Sequence, residues 1–390
     1  MKEITNEDIY AYIYKNKGLA LNSAKILCKL FGGFENLAHT DFKDLYTDSL
    51  INGIKDDDAV NCAKLNLIKI KNITESIQKE ENFLKEEAVL FYEKLNEKGI
   101  KWTHVNSKDY PERLLQIHDS PLILYYKGEL IREDIPSVAI IGARNCSVYG
   151  EKTAVMFGKE LAMAGVQIIS GMARGVDGIA QRSAINANGS TFGILGCGID
   201  IVYPRDNDDI FKSITKSGGL ISEYPPGVQP LRQFFPQRNR IISGLSDIVL
   251  VVEARRKSGT YITVTQALEQ GREVFAVPGR ITDSLSEGCN RLIGSGSGVA
   301  DCAESVLECL RLKYKFDNFS EIKRNKNNTD NLSDLRKKIM ETIKDDGKTL
   351  SLIADSLSTN ISVEELTSEL VEMETDGILV KIGNMYYNKL

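Results

Sequence analysis

Apolar residues recur at helical spacing through the first hundred positions and then change rhythm. NSAKILCKLFGGFENL (22–37) and ESIQKEENFLKEEAVLFYEKLNEKG (75–99) place them three and four apart, which predicts helices, with Gly99 ending the second. A bridge follows that carries a strand-like PLILYYKG at 121–128. From Ser137 onward the apolar residues gather into short β-branched runs: VAII, QIIS, TFGIL, GLIS, IVLVVE and VFAV. Each run is bounded by Gly, Ser or Pro and separated from the next by a helix-length segment. That alternation predicts an α/β fold, a parallel sheet wrapped by helices.

Residues 313–332, KYKFDNFSEIKRNKNNTDNL, are polar and rich in Asn, as suits an exposed linker. Periodicity resumes in 333–390 with SDLRKKIMETIK, TLSLIADSLS and SVEELTSELVEMETDG, then ILVKIG and MYYN. Three helices and a two-stranded hairpin is the order of a winged helix. The chain therefore divides into four expected parts: helical 1–100, sheet-bearing 101–312, linker 313–332 and winged-helix-like 333–390. In the last of these, the third helix carries Glu364, Glu365, Glu369, Glu372 and Glu374 with no Lys or Arg. Leu366, Leu370 and Met373 fall at helical spacing there, as core residues do.

Composition narrows the picture a little. With 390 residues, 42% hydrophobic and 26% charged, the chain has an ordinary globular make-up of two or three domains. The net charge of −5 gives no global attraction to a polyanion. Residues 137–310 hold 17 Lys and Arg against 17 Asp and Glu, so a nucleic-acid site there has to be a local cluster. The seven cysteines, Cys28, Cys62, Cys146, Cys197, Cys289, Cys302 and Cys309, include no CxxC pair. Free thiols in a reducing cytoplasm are the expectation, with no metal and no cofactor. No apolar leader opens the chain and no apolar run reaches membrane-spanning length, so a cytoplasmic protein with no membrane partner is expected.

The candidate chemistry lies at the ends of the predicted strands. After VAII the turn offers Gly142 and Arg144 before a helix near Gly150, where backbone N–H groups and a guanidinium fork can meet an anion. After QIIS the theme returns in Gly171, Arg174 and Gly175, with Asp177 read as the cap of the next helix. Gly-rich turns at the carboxyl ends of successive parallel strands mark the ligand crevice of such sheets. LRQFFPQRNRIISGLS (231–246) sets Arg232, Arg238 and Arg240 beside Phe234 and Phe235, with Pro236 read as stiffening a loop. Arginines among aromatics suit single-stranded nucleic acid, forks for phosphates and rings for bases. The other reading makes a phenylalanine part of the core and the arginines internal clamps. Ser258, Gly259 and Thr260 form a further phosphate-friendly helix start beside Arg255, Arg256 and Lys257, although such a basic run can equally be a solvated face. The three histidines, His39, His104 and His118, all precede the sheet, and the GKT at 347–349 lacks the glycine of a phosphate-binding loop. Binding groups are present and catalytic groups are not evident.

Taken together, GARNCSVYG, ISGMARGVDGIA, GCGIDIVYP, EYPPG, FPQRNRIISGLS, EA…SGTYIT, GREVFAVPG and GCNRLI resemble, in order and spacing, the DNA-processing protein A (DprA/Smf) family. The resemblance implies an extended Rossmann-like, mostly parallel sheet core, with a small N-terminal domain of SAM or helix-hairpin-helix type. It implies a homodimeric single-strand-binding recombination mediator that protects incoming DNA and loads the RecA recombinase in natural transformation, and no enzyme. DNA-binding roles then fall to Gly142, Arg144, Ser147, Gly171, Arg174, Gly175, Phe235, Arg238, Asn239, Arg240, Ser258, Gly259 and Thr260. Two positions depart from the pattern: Cys146 stands where relatives commonly have proline, and Gln181 where they have histidine. The rival functions are a phosphoribohydrolase-like enzyme and a nucleotide-sensing adaptor on the same kind of sheet. The Pro-Gly-Gly turn of the former is absent.

Overall fold

The computed structural model describes residues 2–19, 31–40, 69–314, 334–343, 347–357, 362–375 and 379–388. Cys28, Cys62, the linker from 315 and much of the first predicted helix lie outside the described residues. Two compact units divide the chain, 1–320 and 321–390.

The first unit is built on a nine-stranded sheet. Its strands are β1 (Lys101–His104), β2 (Ile123–Gly128), β3 (Ser137–Ile141), β4 (Gln167–Ser170), β5 (Thr191–Leu195), β6 (Gly219–Ser222), β7 (Ile248–Val251), β8 (Glu273–Ala276) and β9 (Gly298–Val299). They lie in the order β1-β2-β6-β5-β4-β3-β7-β8-β9. The seven strands from β6 to β9 run parallel, while β1 and β2 extend one edge antiparallel. β3 through β6 step outward on one side, and β7 returns to the other side of β3 (Val138 opposite Ile248). The reversal beside β3 is the switch point where such sheets open a crevice. Every residue of β3, β4, β5 and β7 is buried, as continuous apolar runs covered by helices on both faces require.

The longer helices of this unit are α1 (Asn6–Asn16), α2 (Glu81–Glu97), α3 (Val148–Met163), α4 (Val176–Asn186), α5 (Phe234–Leu245), α6 (Thr260–Glu269), α7 (Glu287–Gly294) and α8 (Ala303–Lys313). The long apolar pattern at 75–99 resolves into helical residues 69–79 and α2, broken at Glu80. One hydrophobic core runs from Ile9, Tyr10 and Tyr92 through Trp102 and Tyr125 to Val249 and Leu292. The helical N-terminal part thus shares its interior with the sheet. Asp8, buried at the start of α1, accepts from Trp102 Nε1 at 2.8 Å, and its carbonyl accepts from the Tyr92 hydroxyl at 2.8 Å. Those bonds tie α1 and α2 to β1.

A second polar knot lies at the amino ends of β3 and β7. Asp247 accepts from Ser137 N–H at 2.9 Å and from the Tyr314 hydroxyl at 3.0 Å, and it faces Arg113 at 3.3 Å and Lys313. Burial pushes its carboxyl up, but Arg113 and Lys313 outweigh this and hold it below the usual range.

The second unit holds α9 (Asp334–Ile343), α10 (Leu350–Leu357) and α11 (Val363–Thr375) with β10 (Lys348–Thr349), β11 (Leu379–Ile382) and β12 (Met385–Asn388), the strands ordered β10-β12-β11. β10 adds a third strand to the expected hairpin. Leu366, Leu370 and Met373 are fully buried among Ile339, Ile353 and Tyr386. Arg336 reaches across from α9 to Glu369 and to Glu372 at 2.9 Å.

Candidate nucleic-acid interface

At the carboxyl ends of the parallel strands, the turns after β3, β4 and β5 and the start of α5 surround two adjoining clefts of about 710 and 600 Å³. Arg144, Phe235 and Arg238 line both. The loop expected at 231–246 is largely helix: α5 begins at Phe234 and holds Pro236 in its first turn. A proline lacks only an N–H that would be unpaired there in any case. Helical geometry sends successive residues of FPQRNR in different directions, and that fixes their fates.

Phe235 is half-buried between two guanidinium groups, with Arg144 Cζ 6.0 Å and Arg238 Cζ 5.9 Å from its ring centre. Tyr203, 45% exposed, packs its ring 5.5 Å from the same phenylalanine. All three contacts lie in the range of cation–π and aromatic attraction. Arg144 is exposed and makes no ion pair among the described residues. It presents an uncompensated fork at the cleft mouth.

Arg238 is different. It is 4% exposed, and its Nη1 donates to Gly171 O at 2.7 Å and to Ile194 O. Burial lowers its pKa to about 10, against the pull of Asp177. Asp177 is itself raised by burial and opposed by Arg238. The pair forms the cleft floor. Asp177 does not cap α4, whose cap position is Gly175; its carboxylate accepts from Gly171 N–H at 3.0 Å. Gly175 has φ +71°, and a Cβ there would overlap the carbonyls of Ala143 and Arg144. Only glycine lets the second turn approach the first so closely.

The remaining expected residues divide between cleft and scaffold. Arg174 lines the cleft and pairs on the surface with Asp206 at 2.6 Å. Such an exposed pair contributes about 0–1 kcal/mol and exchanges readily for another anion. Gly142, Asn239, Ser258, Gly259 and Thr260 line the second cleft, and Asn239 accepts from Arg238 Nε at 3.3 Å. Arg240 turns away from both clefts, held by Asp119 at 3.0 Å and Glu223 at 2.6 Å. Ser147 caps α3 by accepting from Gly150 N–H at 3.1 Å, and its own N–H and hydroxyl both donate to Glu253. Cys146 lies half-buried in the first turn, while Gln181 is fully buried in the core and donates to Phe192 O at 3.2 Å. Tyr203 went unread in the sequence. Its signal is the YP that follows the Gly-Cys-Gly turn, an aromatic at a strand-end loop.

His104, expected before the sheet, is instead the last residue of its edge strand β1, where it sits by Asp8 with its pKa lowered by burial. Among the described residues no group of three His, Cys, Asp or Glu is placed to hold a metal ion.

A family model described as DNA recombination-mediator protein A matches residues 101–311. The DNA processing protein DprA of Bacillus subtilis is 41% identical over 233 residues, 58% of this chain and 78% of its own. That of Streptococcus pneumoniae is 42% identical over 200 residues, 51% of this chain and 70% of its own. The solved structure of DNA processing protein A from Streptococcus pneumoniae superposes with a TM-score of 0.58 at 33% identity, covering 79% of this chain and 98% of that one. A structure described as showing the single-stranded DNA binding mode of DNA processing protein A from Helicobacter pylori matches with a TM-score of 0.50 at 29% identity, covering 55% and 97%.

Proposed function

The chain belongs to the DNA recombination-mediator protein A family, and from that premise we propose that it binds single-stranded DNA along the two clefts at the carboxyl ends of β3, β4 and β5. The observation that carries the proposal is Arg144, exposed and without an ion pair among the described residues, standing over the ring of Phe235. A permanently charged fork above an aromatic face offers a phosphate and a base what each needs. Arg174, the Ser258–Thr260 helix start and the exposed Arg255, Arg256 and Lys257 extend the basic border. Arg238, Arg240 and Ser147 serve as scaffold for these groups.

Within the same proposal the protein acts as a homodimer that shields incoming DNA and passes it to RecA in natural transformation, binding without catalysis in the cytoplasm. Two sites on one particle raise avidity without new contacts. Among the described residues no helix is long and apolar enough to cross a membrane.

A gel shift comparing a single-stranded oligonucleotide with its duplex at two salt concentrations is the test. Preference for the single strand, weakened by salt, is the expected result. Equal affinity for both forms at moderate salt overturns it, and release of free base from nucleoside monophosphates would point to the phosphoribohydrolase-like enzyme instead.

A further inference from the structure

The first turn of the crevice already holds an anion. Glu253 follows β7, crosses the switch point and is 2% exposed. Its carboxylate accepts from Ser147 N–H at 2.9 Å and from the Ser147 hydroxyl, at the N-terminus of the sixteen-residue helix α3. Gly150, in the first turn of that helix, makes room for it, since a Cβ at this position would overlap the carboxylate. In dinucleotide-binding sheets this location, between β3 and β7 and against the amino end of the following helix, takes the pyrophosphate.

We propose that Glu253 is a resident carboxylate that takes the place of a ligand phosphate and excludes free nucleotides from the crevice. The oriented N–H groups and positive dipole end that attract an incoming phosphate here are satisfied from within. A second negative group brought to the same turn meets a fixed like charge instead of a donor. The second turn is built alike, with Asp177 accepting from Gly171 N–H at 3.0 Å. Anions that stay outside these carboxylates meet Arg144, which makes no ion pair among the described residues, and Arg174, whose exposed pair with Asp206 can exchange. The crevice therefore discriminates against a mononucleotide, whose binding depends on one deep phosphate, and tolerates a chain of phosphates held along the border. Glu253 is a specificity-determining residue of the crevice whether or not a single strand occupies that border.

The experiment uses the full chain with inorganic phosphate and AMP as probes, reading the thermal transition against chloride at matched ionic strength. The wild-type transition should not respond to millimolar probe. Glu253→Ala should gain a saturable upward shift, and adding Ser147→Ala, which removes the hydroxyl but keeps the backbone N–H, should reduce the gain. Should the alanine variant fail to fold, Glu253→Ser serves, because it likewise removes both the charge and the volume that stand in the phosphate's place and should gain the same response. A folded Glu253 variant with no response to either probe overturns the proposal. So does a wild-type protein whose Ser147 amide resonance shifts on adding AMP. Oligonucleotide affinity measured alongside tests the single-strand reading separately, since Glu253 lies inside the border assigned to the strand.

Discussion

Two arginines that look alike in the sequence should behave in opposite ways. Arg144→Ala removes an exposed fork with no ion pair among the described residues, so the fold should keep its thermal transition. Single-strand affinity should fall by about one to two decades, the loss of a charge-assisted hydrogen bond of roughly 1.5–3 kcal/mol. Arg238→Ala instead orphans the carbonyls of Gly171 and Ile194 and leaves Asp177 buried without its counter-charge. Leaving a buried carbonyl unpaired costs about 1–3 kcal/mol, which calorimetry would read as a drop in the melting temperature. A variant that melts like the wild type and only loses DNA would assign Arg238 to the border after all. The sequence shows Arg144 in a turn at a strand end and Arg238 beside aromatics, which assigns both to the binding groups of one crevice. It did not show which one would be buried, because the carbonyls that enclose Arg238 come from residues 67 and 44 positions away. Ser147 and Glu253 were similarly opaque: 106 residues separate the hydroxyl from its carboxylate.

Elements were easier to read than contacts. Short apolar runs bounded by Gly, Ser or Pro locate β3 to β8, and those of β3, β4, β5 and β7 are buried throughout, as strands covered on both faces are. β1 (KWTH) and β9 (Gly298–Val299) escaped notice, being short edge strands whose pairing comes from their neighbours and not from their own pattern. The proline in FPQRNR suggested a loop, although at the third helical position it breaks no bond. At this scale α11 yields a prediction. Glu369 and Glu372 are engaged by Arg336, Glu365 and Glu374 are exposed, and a groove-entering helix of that charge is repelled by phosphates spaced at about 1.7 Å of axis per charge. Deleting residues 328–390 should leave single-strand affinity within a few-fold by gel shift. A hundredfold fall, about 2.7 kcal/mol, in a chain that is still folded would assign DNA contacts to this unit.

For the whole molecule, binding through a local border on a chain of net charge −5 implies strong salt dependence. The logarithm of the affinity should fall linearly with that of salt, by about 0.7 per phosphate neutralised on a single strand. A slope near zero in a titration would mean that base contacts dominate. Stability should depend on pH through Asp247, whose depressed carboxyl joins the starts of β3 and β7 to Arg113 and the end of α8. A group with a lowered folded pKa stabilises fully above its unfolded value near 3.9, and the contribution is lost as pH falls through the folded value. Urea unfolding at pH 7 and below about pH 4 should therefore show a decline that Asp247→Asn lessens, at the cost of lower stability at neutral pH. An unchanged decline in that variant would assign the acid sensitivity to other groups.

The strand order has a consequence during synthesis. β3 lies in the middle of the sheet, but its partner β7 is made much later: Ser137 and Asp247, which bond at their shared end, are 110 residues apart. At about 5–20 residues per second, one apolar margin of β3 waits roughly 5–20 s for its neighbour. During that interval the nascent half-sheet presents an unpaired, fully apolar edge, the template on which strands of different chains pair wrongly. Yield in a cell should thus depend on translation speed and chaperone supply between codons 141 and 251 more than on the final stability of the protein.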